Sequence, residues 1–494
     1  MASAAKPRVA KSLRCFSGGF LLRTGHGTWL RAATRHTSAG SDYSTRRPRQ
    51  PVPGALLRGV ATTSDSLLVP GWRAWATAPT AWFVGRWLLL ASLVGALAGT
   101  ASAGFLVALE RATAWREAHP WALALLPVGG LLVGLAYHYF GNRVIKGNNL
   151  ILDEIHAPSE RIPLRLVPLV LGGTLLTHLL GGSAGREGTA VQMGGALADQ
   201  LARWLPAGRR WQRQLRRDRH LLLIAGMSAG FASVFGTPLA GAVFGLEVFL
   251  LGSVRYEAIL PSFLAAVVAD VVTRAWGVGH THYPELAALP LTAAGLGATL
   301  LAGAAFGLTA RAFAALTHWL THQFRRLAYA PLRPVVGGVV VALLLWAVGT
   351  RYAGLGVPVI VEAFQHQLGG QDFALKLLLT ALTLGAGFKG GEVTPLFFIG
   401  ATLGSALAGV LPLPVALLAG MGFVGVFAGA ANTPLACLLM GLELFGSHAG
   451  VYLGLACVVA YLFSGHHGIY TSQKIGQAKH PLLGRQRGRR LGEL

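Results

Sequence analysis

A pair of charged residues, Arg186 and Glu187, lies inside a long apolar part of the sequence, between the runs 162–182 and 189–201. Ionisable groups at bilayer depth cost at least about 2.5–3.5 kcal/mol, so a functional role is the default interpretation. A structural ion pair between packed helices is the alternative. Glycines flank the pair at positions 181, 182, 185 and 188. They predict a break between two half-helices, which persists in a membrane only beside protein or a water-filled cavity.

A second stretch, residues 390–401, repeats part of this pattern. At a shift of 205 positions, the glycine, glutamate and threonine of 185–189 fall on those of 390–394. Further along, residues 226–249 match residues 422–445 at 11 of 24 positions, including a shared Thr-Pro-Leu-Ala. The chain therefore contains two related halves. Duplicated membrane halves with glycine or proline breaks in matching places are typical of transporters whose site lies between the repeats.

The composition is that of a polytopic membrane protein. Of the 494 residues, 53% are hydrophobic and only 12% are charged, which excludes a soluble chain of this size. Most of the formal net charge of +23 is concentrated in residues 1–80, 203–219 and 474–494. The positive-inside rule then predicts that both termini and the 203–219 loop are cytoplasmic. Contact of the basic tails with nucleic acid or anionic lipid is the weaker alternative, and we expect no nucleic-acid partner.

Three stretches interrupt the apolar pattern as helix starts would: 146–151, 185–189 and 390–395. A helix start leaves N–H groups unpaired at the positive end of the helix dipole, and such an end binds anions. An ordinary asparagine cap and a glycine-rich kink are the alternatives for the first and third stretches. If all three converge, they form a site for a small anion. The Glu187 carboxylate would compete for that site, and its protonation would couple anion movement to proton movement.

Metal and enzyme chemistry find little support in the sequence. The adjacent His466 and His467 point in different directions on any regular element, and three scattered cysteines, Cys15, Cys437 and Cys457, lack ligand spacing. No His-Glu-x-x-His, Gly-x-Ser-x-Gly or aspartate pair occurs in an apolar segment. We therefore expect no metal, no cofactor and no enzymatic activity.

The residues 185–188, Gly-Arg-Glu-Gly, resemble the Gly-Lys/Arg-Glu-Gly-Pro motif of the CLC family of chloride channels and chloride/proton antiporters. The resemblance covers about residues 80–475. It implies an all-α polytopic membrane protein built from two inverted repeats with broken, re-entrant helices. It also implies a homodimer with one anion pathway per subunit, with Glu187 as the gating and proton-coupling glutamate and Tyr470 as the family's central tyrosine.

Departures from the usual CLC residues resemble the fluoride-exporting branch of the family. Asn148 stands where the chloride-coordinating serine would be, and Thr189 replaces the proline of the gating motif. Glu392 and Thr394 lie within the segment that matches Gly-x-Phe-x-Pro, as in that branch. Val248 replaces the inner proton glutamate of the chloride antiporters.

The predicted function is fluoride export in exchange for protons, with a chloride or nitrate channel or antiporter as the alternative. Fluoride is small and strongly hydrated, so amide and hydroxyl donors are suited to replace its water, but an asparagine could serve either ion. The fluoride interpretation therefore follows mainly from the resemblance. Glu187 and Glu392 are expected to gate and to carry protons. The residues expected to bind the anion are Gly147, Asn148, Asn149, Gly185, Arg186, Gly188, Thr189, Gly391, Val393, Thr394 and Tyr470.

The predicted organisation has four parts. Residues 1–80 form a basic N-terminal segment, either an organelle transit peptide or disordered, followed by membrane repeats at 81–277 and 278–473. Residues 474–494 form a basic cytoplasmic tail. The high content of alanine, glycine, arginine, leucine and valine resembles a GC-rich bacterial coding region, which favours the inner membrane of a bacterium as the location.

Overall fold

The computed structural model describes residues 78–205 and 208–494. The regular secondary structure of this part of the chain is almost entirely helical, with one pair of two-residue parallel strands. Apart from residues 78–80, the basic N-terminal segment predicted at 1–80 lies outside the described residues.

The described residues of the first half contain nine α-helices. They are α1 (Ala78–Ala118), α2 (Leu126–Phe140), α3 (Asn148–His156), α4 (Leu166–Leu179), α5 (Glu187–Trp204), α6 (Arg209–Arg217), α7 (Arg219–Phe235), α8 (Pro238–Glu247) and α9 (Ile259–Ala275). Strand β1 (Leu250–Leu251) follows α8.

The second half contains eight α-helices. They are α10 (Ala293–Arg325), α11 (Leu332–Val348), α12 (Val357–Gln365), α13 (Gly370–Gly385), α14 (Val393–Leu407), α15 (Val415–Ala431), α16 (Pro434–Phe445) and α17 (Gly450–Phe463). Strand β2 (Lys474–Ile475) pairs with β1.

Helix length divides the described chain into full and partial spans. Four helical stretches are long and apolar enough to cross a membrane: Thr80–Ala118, Pro120–Phe140, Tyr256–Ala275 and Ala293–Arg325. Eight other apolar helices have only 10–17 residues, fewer than the ~20 that a full crossing needs. These short helices are the broken elements that the glycine and proline pattern predicts.

The two halves repeat one packing pattern. In the first half α5 packs on α7 and α1 on α9, and in the second half α14 packs on α15 and α10 on α17. Glycines allow the closest approaches. A Cβ on Gly194 would lie 2.2 Å from the carbonyl oxygen of Gly226, and one on Gly400 would lie 2.0 Å from that of Gly422. Small residues let membrane helices approach this closely and gain dispersion contacts.

The relative orientation of the halves follows from two glutamates. The carboxylate of Glu247, at the end of α8, accepts hydrogen bonds from the N–H groups of residues 435 and 436 in the first turn of α16, at 3.2 and 3.0 Å. The carboxylate of Glu443, in the last turn of α16, accepts from residues 239 and 240 of α8, at 2.9 and 2.8 Å. Each helix end caps the start of the other, so α8 and α16 are antiparallel. The predicted fold class, an all-α membrane protein of two inverted repeats with broken helices, is confirmed.

Two basic segments meet on the short helix α3. Arg219, at the end of the 203–219 loop, binds Glu154 with an Nη1–Oε2 distance of 2.8 Å. Arg490 of the tail binds the neighbouring Asp153, with an Nη1–Oδ1 distance of 2.8 Å. The loop and the tail therefore lie at the same end of the molecule. Through β2 and these contacts, the tail packs against the helical body.

Candidate anion site

Three helices begin at the stretches that the sequence singles out. α3 begins at Asn148, α5 at Glu187 and α14 at Val393, so the predicted helix starts are confirmed. Gly147 precedes α3 with a φ of 56°, a left-handed conformation that suits glycine. The unpaired N–H groups and the positive dipole end of each start stabilise negative charge nearby.

A two-residue bridge joins the loops that precede α5 and α14. The N–H of Gly185 donates to the carbonyl oxygen of Gly391 at 2.6 Å, and the N–H of Gly391 donates to that of Gly185 at 2.7 Å. A Cβ on Gly391 would lie 2.7 Å from the nitrogen of Gly188, so side chains are excluded from this crossing. The bridge fixes two repeat-related helix starts against each other.

The carboxylate of Glu187 is fully buried and lies at the start of α14. Its Oε2 accepts hydrogen bonds from the backbone N–H of Thr394 at 3.0 Å and from that of Arg186 at 3.1 Å. Its Oε1 accepts a further hydrogen bond from the Thr394 hydroxyl. The Arg186 guanidinium is adjacent, with Nε 3.6 Å from Oε1. The carboxyl group of Glu187 thus occupies hydrogen-bond donors at the α14 helix start.

A cavity of about 160 Å³ lies near the starts of α3 and α14. Of the predicted residues, Gly147, Asn148, Asn149, Glu392 and Tyr470 line it. A Cβ on Gly188 would lie 3.2 Å from the Asn148 Nδ2, so the Asn148 amide faces the glycine bridge. Within the described part of the chain, the buried Asn148 Oδ1 has no hydrogen-bond partner.

A wider vestibule of about 820 Å³ shares part of its wall with the small cavity. The shared residues are Ile145, Lys146, Asn149, Leu384, Glu392 and Ile469. Basic and imidazole side chains line the vestibule, and they include His318, His322, Arg325, His466 and His467. Asp153 and Glu493 contribute carboxylates. The wall of the vestibule is therefore polar and mostly basic where it reaches Glu392.

Two of the predicted anion-binding residues have other partners. Thr189 is fully buried, and its hydroxyl lies 2.6 Å from the Thr174 hydroxyl, away from the cavity lining. Asn149 borders the cavity, but its Oδ1 accepts a hydrogen bond from the backbone N–H of Ser472 at 2.9 Å. That contact holds the segment that carries Tyr470 against α3. The structure therefore does not bring the Thr189 hydroxyl to the site.

The cavity wall also includes polar residues that the sequence analysis did not select: Tyr137, Gln192 and Lys389. Lys389 could have been found by the argument that singled out Glu187, because it is a lone charge between the apolar α13 and Gly390. Gln192 gave no such signal, since an uncharged amide in a helix is unremarkable until its neighbours are known.

The loop before Glu187 is held by a buried histidine at the end of α4. The ring nitrogens of His178 lie 2.9 Å from the carbonyl oxygen of Thr174 and 3.0 Å from that of Ala184. The side chain is fully buried. Its contact with Ala184 supports the backbone three residues before Glu187.

Comparison with known proteins identifies the family. The model of the voltage gated chloride channel family matches residues 129–465. This chain belongs to that family.

Three similar proteins have names that describe different transport activities. A chloride/fluoride channel protein of Pseudomonas syringae pv. tomato is 54% identical over 81% of this chain and 88% of that protein. The crystal structure of a CLC-type fluoride/proton antiporter superimposes with a TM-score of 0.75 at 36% identity, covering 79% of this chain and 98% of that one. An H+/Cl− exchange transporter of Cronobacter sakazakii is 29% identical over 65% of this chain and 72% of its own length.

This family member has no glutamate at the position where the resemblance places the inner proton group. Val248 is fully buried there, and its carbonyl oxygen accepts a hydrogen bond from Gln473 Nε2 at 2.6 Å. The neighbouring Glu247 caps α16. Among the described residues, Glu392 is the carboxylate that borders both the vestibule and the small cavity.

Proposed function

We propose that this protein exports fluoride across a bacterial inner membrane in exchange for protons. The observation that carries the proposal is the Glu187 carboxylate, held at the start of α14 by two backbone N–H groups and the Thr394 hydroxyl. An anion that displaces this carboxylate would take over donors at the same helix start. Release of the carboxylate is favoured by its protonation, which links the two ions.

The chemistry of the cavity wall supports fluoride as the substrate. A small, strongly hydrated anion must regain its hydrogen bonds inside the protein. Asn148 presents an amide toward the glycine bridge, Tyr470 lines the same cavity and Thr394 already donates to a bound carboxylate. The names of the Pseudomonas relative and of the antiporter of known structure include fluoride, which supports the same substrate.

Glu392 is the proposed second proton carrier. It lies just before α14, one residue from the glycine bridge, and it borders both the cavity and the vestibule. Because Val248 cannot titrate, Glu392 is the carboxylate on the vestibule side that is best placed to pass a proton toward Glu187.

We also propose a homodimer, as the resemblance to the CLC family implies. Both termini are proposed to be cytoplasmic. The joint binding of the 203–219 loop and the tail to α3 supports one basic face, which the positive-inside rule assigns to the cytoplasm.

Halide efflux tests the substrate directly. Liposomes that contain the purified protein are loaded with potassium fluoride, chloride or nitrate, and efflux is followed with ion-selective electrodes against protein-free liposomes. We expect fluoride to leave much faster than chloride or nitrate. Faster chloride or nitrate efflux would contradict the proposal and favour a chloride or nitrate transporter.

A further inference from the structure

The wall of the small cavity carries both basic and acidic side chains. The ionisable side chains that line it, among the described residues, are Tyr137, Lys146, Lys389, Glu392 and Tyr470. Lys146 is already paired with Asp153, with an Nζ–Oδ2 distance of 3.0 Å, and its side chain is 61% exposed. Glu392 contributes negative charge when it is ionised. Lys389 makes no direct ion pair among the described residues, and the charged group that acts on it is the Glu392 carboxylate on the same wall.

The position of Lys389 directs its ammonium group into the interior. The residue follows α13 and precedes Gly390, and its stem packs against α4, where a Cβ on Gly173 would lie 2.9 Å from its Cγ. The Nζ lies 4.1 Å from the centroid of the Tyr137 ring. A cation–π contact of this kind offsets only part of the cost of removing an ammonium from water. The Glu392 carboxylate on the same wall offsets a further part of this cost, and an anion in the cavity would offset more of it.

We propose that Lys389 is an anion-binding residue, whose ammonium holds the transported halide in this cavity. The proposal rests on the proposed function, since it assigns a residue to the same pathway. Without this cation, an anion in the cavity would face the Glu392 carboxylate with no buried cation on the wall to oppose it. The ammonium offsets that repulsion. A compact, strongly hydrated point charge also suits a small, hard anion such as fluoride.

Lys376 provides a matched control. It is a second buried lysine on the neighbouring helix α13, fully buried where Lys389 is partly accessible from the cavity. Its ammonium donates to the carbonyl oxygens of Tyr352 at 3.0 Å and Gly354 at 2.7 Å. It does not line the small cavity. Removing its charge therefore perturbs the fold without changing the cavity wall.

The test is calorimetric titration of the purified full chain in detergent with sodium fluoride and with sodium chloride. We expect Lys389→Met and Lys389→Gln to weaken fluoride binding at least tenfold, about 1.4 kcal/mol. Lys389→Arg, which keeps the charge, should retain more affinity than either. Lys376→Met should bind fluoride within about twofold of the original protein. Thermal unfolding of each variant identifies those that are folded at the titration temperature.

The outcomes separate this inference from the proposed function. Wild-type affinity in either folded neutral variant of Lys389 would overturn it. An equal loss in Lys376→Met would also overturn it, because the effect would then be structural. If the original protein binds chloride and not fluoride, the proposed function fails, while the same comparison with chloride still decides the role of Lys389.

Discussion

The Thr394 hydroxyl offers a sharp test of how the site selects its anion. Thr394→Val keeps the shape of the side chain and the backbone N–H that binds Glu187 at 3.0 Å, and removes only the hydroxyl donor. A hydrogen bond to a charged partner contributes about 1.5–3 kcal/mol, which is roughly 10- to 150-fold in an equilibrium constant. The docked carboxylate and an anion that replaces it both lose this donor.

Comparing two halides removes the contribution of the carboxylate. The change in Glu187 docking is the same whichever halide competes, so it cancels in the ratio of fluoride to chloride affinities. Fluoride, the stronger acceptor, should lose more than chloride. We expect the fluoride-over-chloride ratio to fall roughly three- to tenfold, for a difference of about 0.7–1.4 kcal/mol.

The assay is halide efflux from liposomes at a series of internal concentrations, which gives an apparent affinity for each ion. Thr402→Val is the matched control, because that hydroxyl lies on the same helix and donates to the Phe398 carbonyl oxygen at 2.8 Å. A ratio in Thr394→Val that equals the ratio in the control would refute the donor argument.

Three further predictions use the same protein. Asn148→Ser, which replaces the amide that faces the glycine bridge with a shorter hydroxyl side chain, should lower fluoride-over-chloride selectivity in the efflux assay; an unchanged ratio would remove Asn148 from the anion site. Glu392→Gln should slow proton-coupled fluoride transport at least tenfold, and wild-type coupling in this variant would exclude Glu392 as a proton carrier. Glu443→Gln leaves the start of α8 with a neutral cap and should cost about 1 kcal/mol, seen as a lower unfolding midpoint in detergent, whereas the exposed Glu285→Gln should change nothing. Equal midpoints for these last two variants would contradict the capping argument.

The sequence predicts the helix starts at this site and the two related halves that contain them. Glycine breaks at 185–188 and 390–391 interrupt apolar runs that are otherwise fit for helices, so the starts of α5 and α14 follow from local chemistry. The repeat of Thr-Pro-Leu-Ala at 237–240 and 433–436 predicts two related halves. In both copies the threonine precedes a short helix that begins at the proline.

Long-range pairings were not predictable in this way. The mutual capping by Glu247 and Glu443 joins residues 188 and 204 positions apart, and only the inverted packing of the halves brings them together. Thr189 follows the gating glutamate in the sequence, but the helical turn directs its hydroxyl to Thr174 on α4. The sequence shows that Lys389 is a basic residue, but its position in the cavity wall follows only from its packing against α2 and α4.

Fluoride-driven proton movement tests the central claim most directly. Liposomes loaded with fluoride and containing either the original protein or Glu187→Gln are diluted into weakly buffered solution, and external pH is followed as fluoride leaves. The account predicts proton uptake with the original protein. It predicts no coupled uptake with Glu187→Gln, although fluoride binding to that variant survives in calorimetry. Coupled proton uptake at the original level in Glu187→Gln would contradict the assignment of Glu187 as gate and proton carrier.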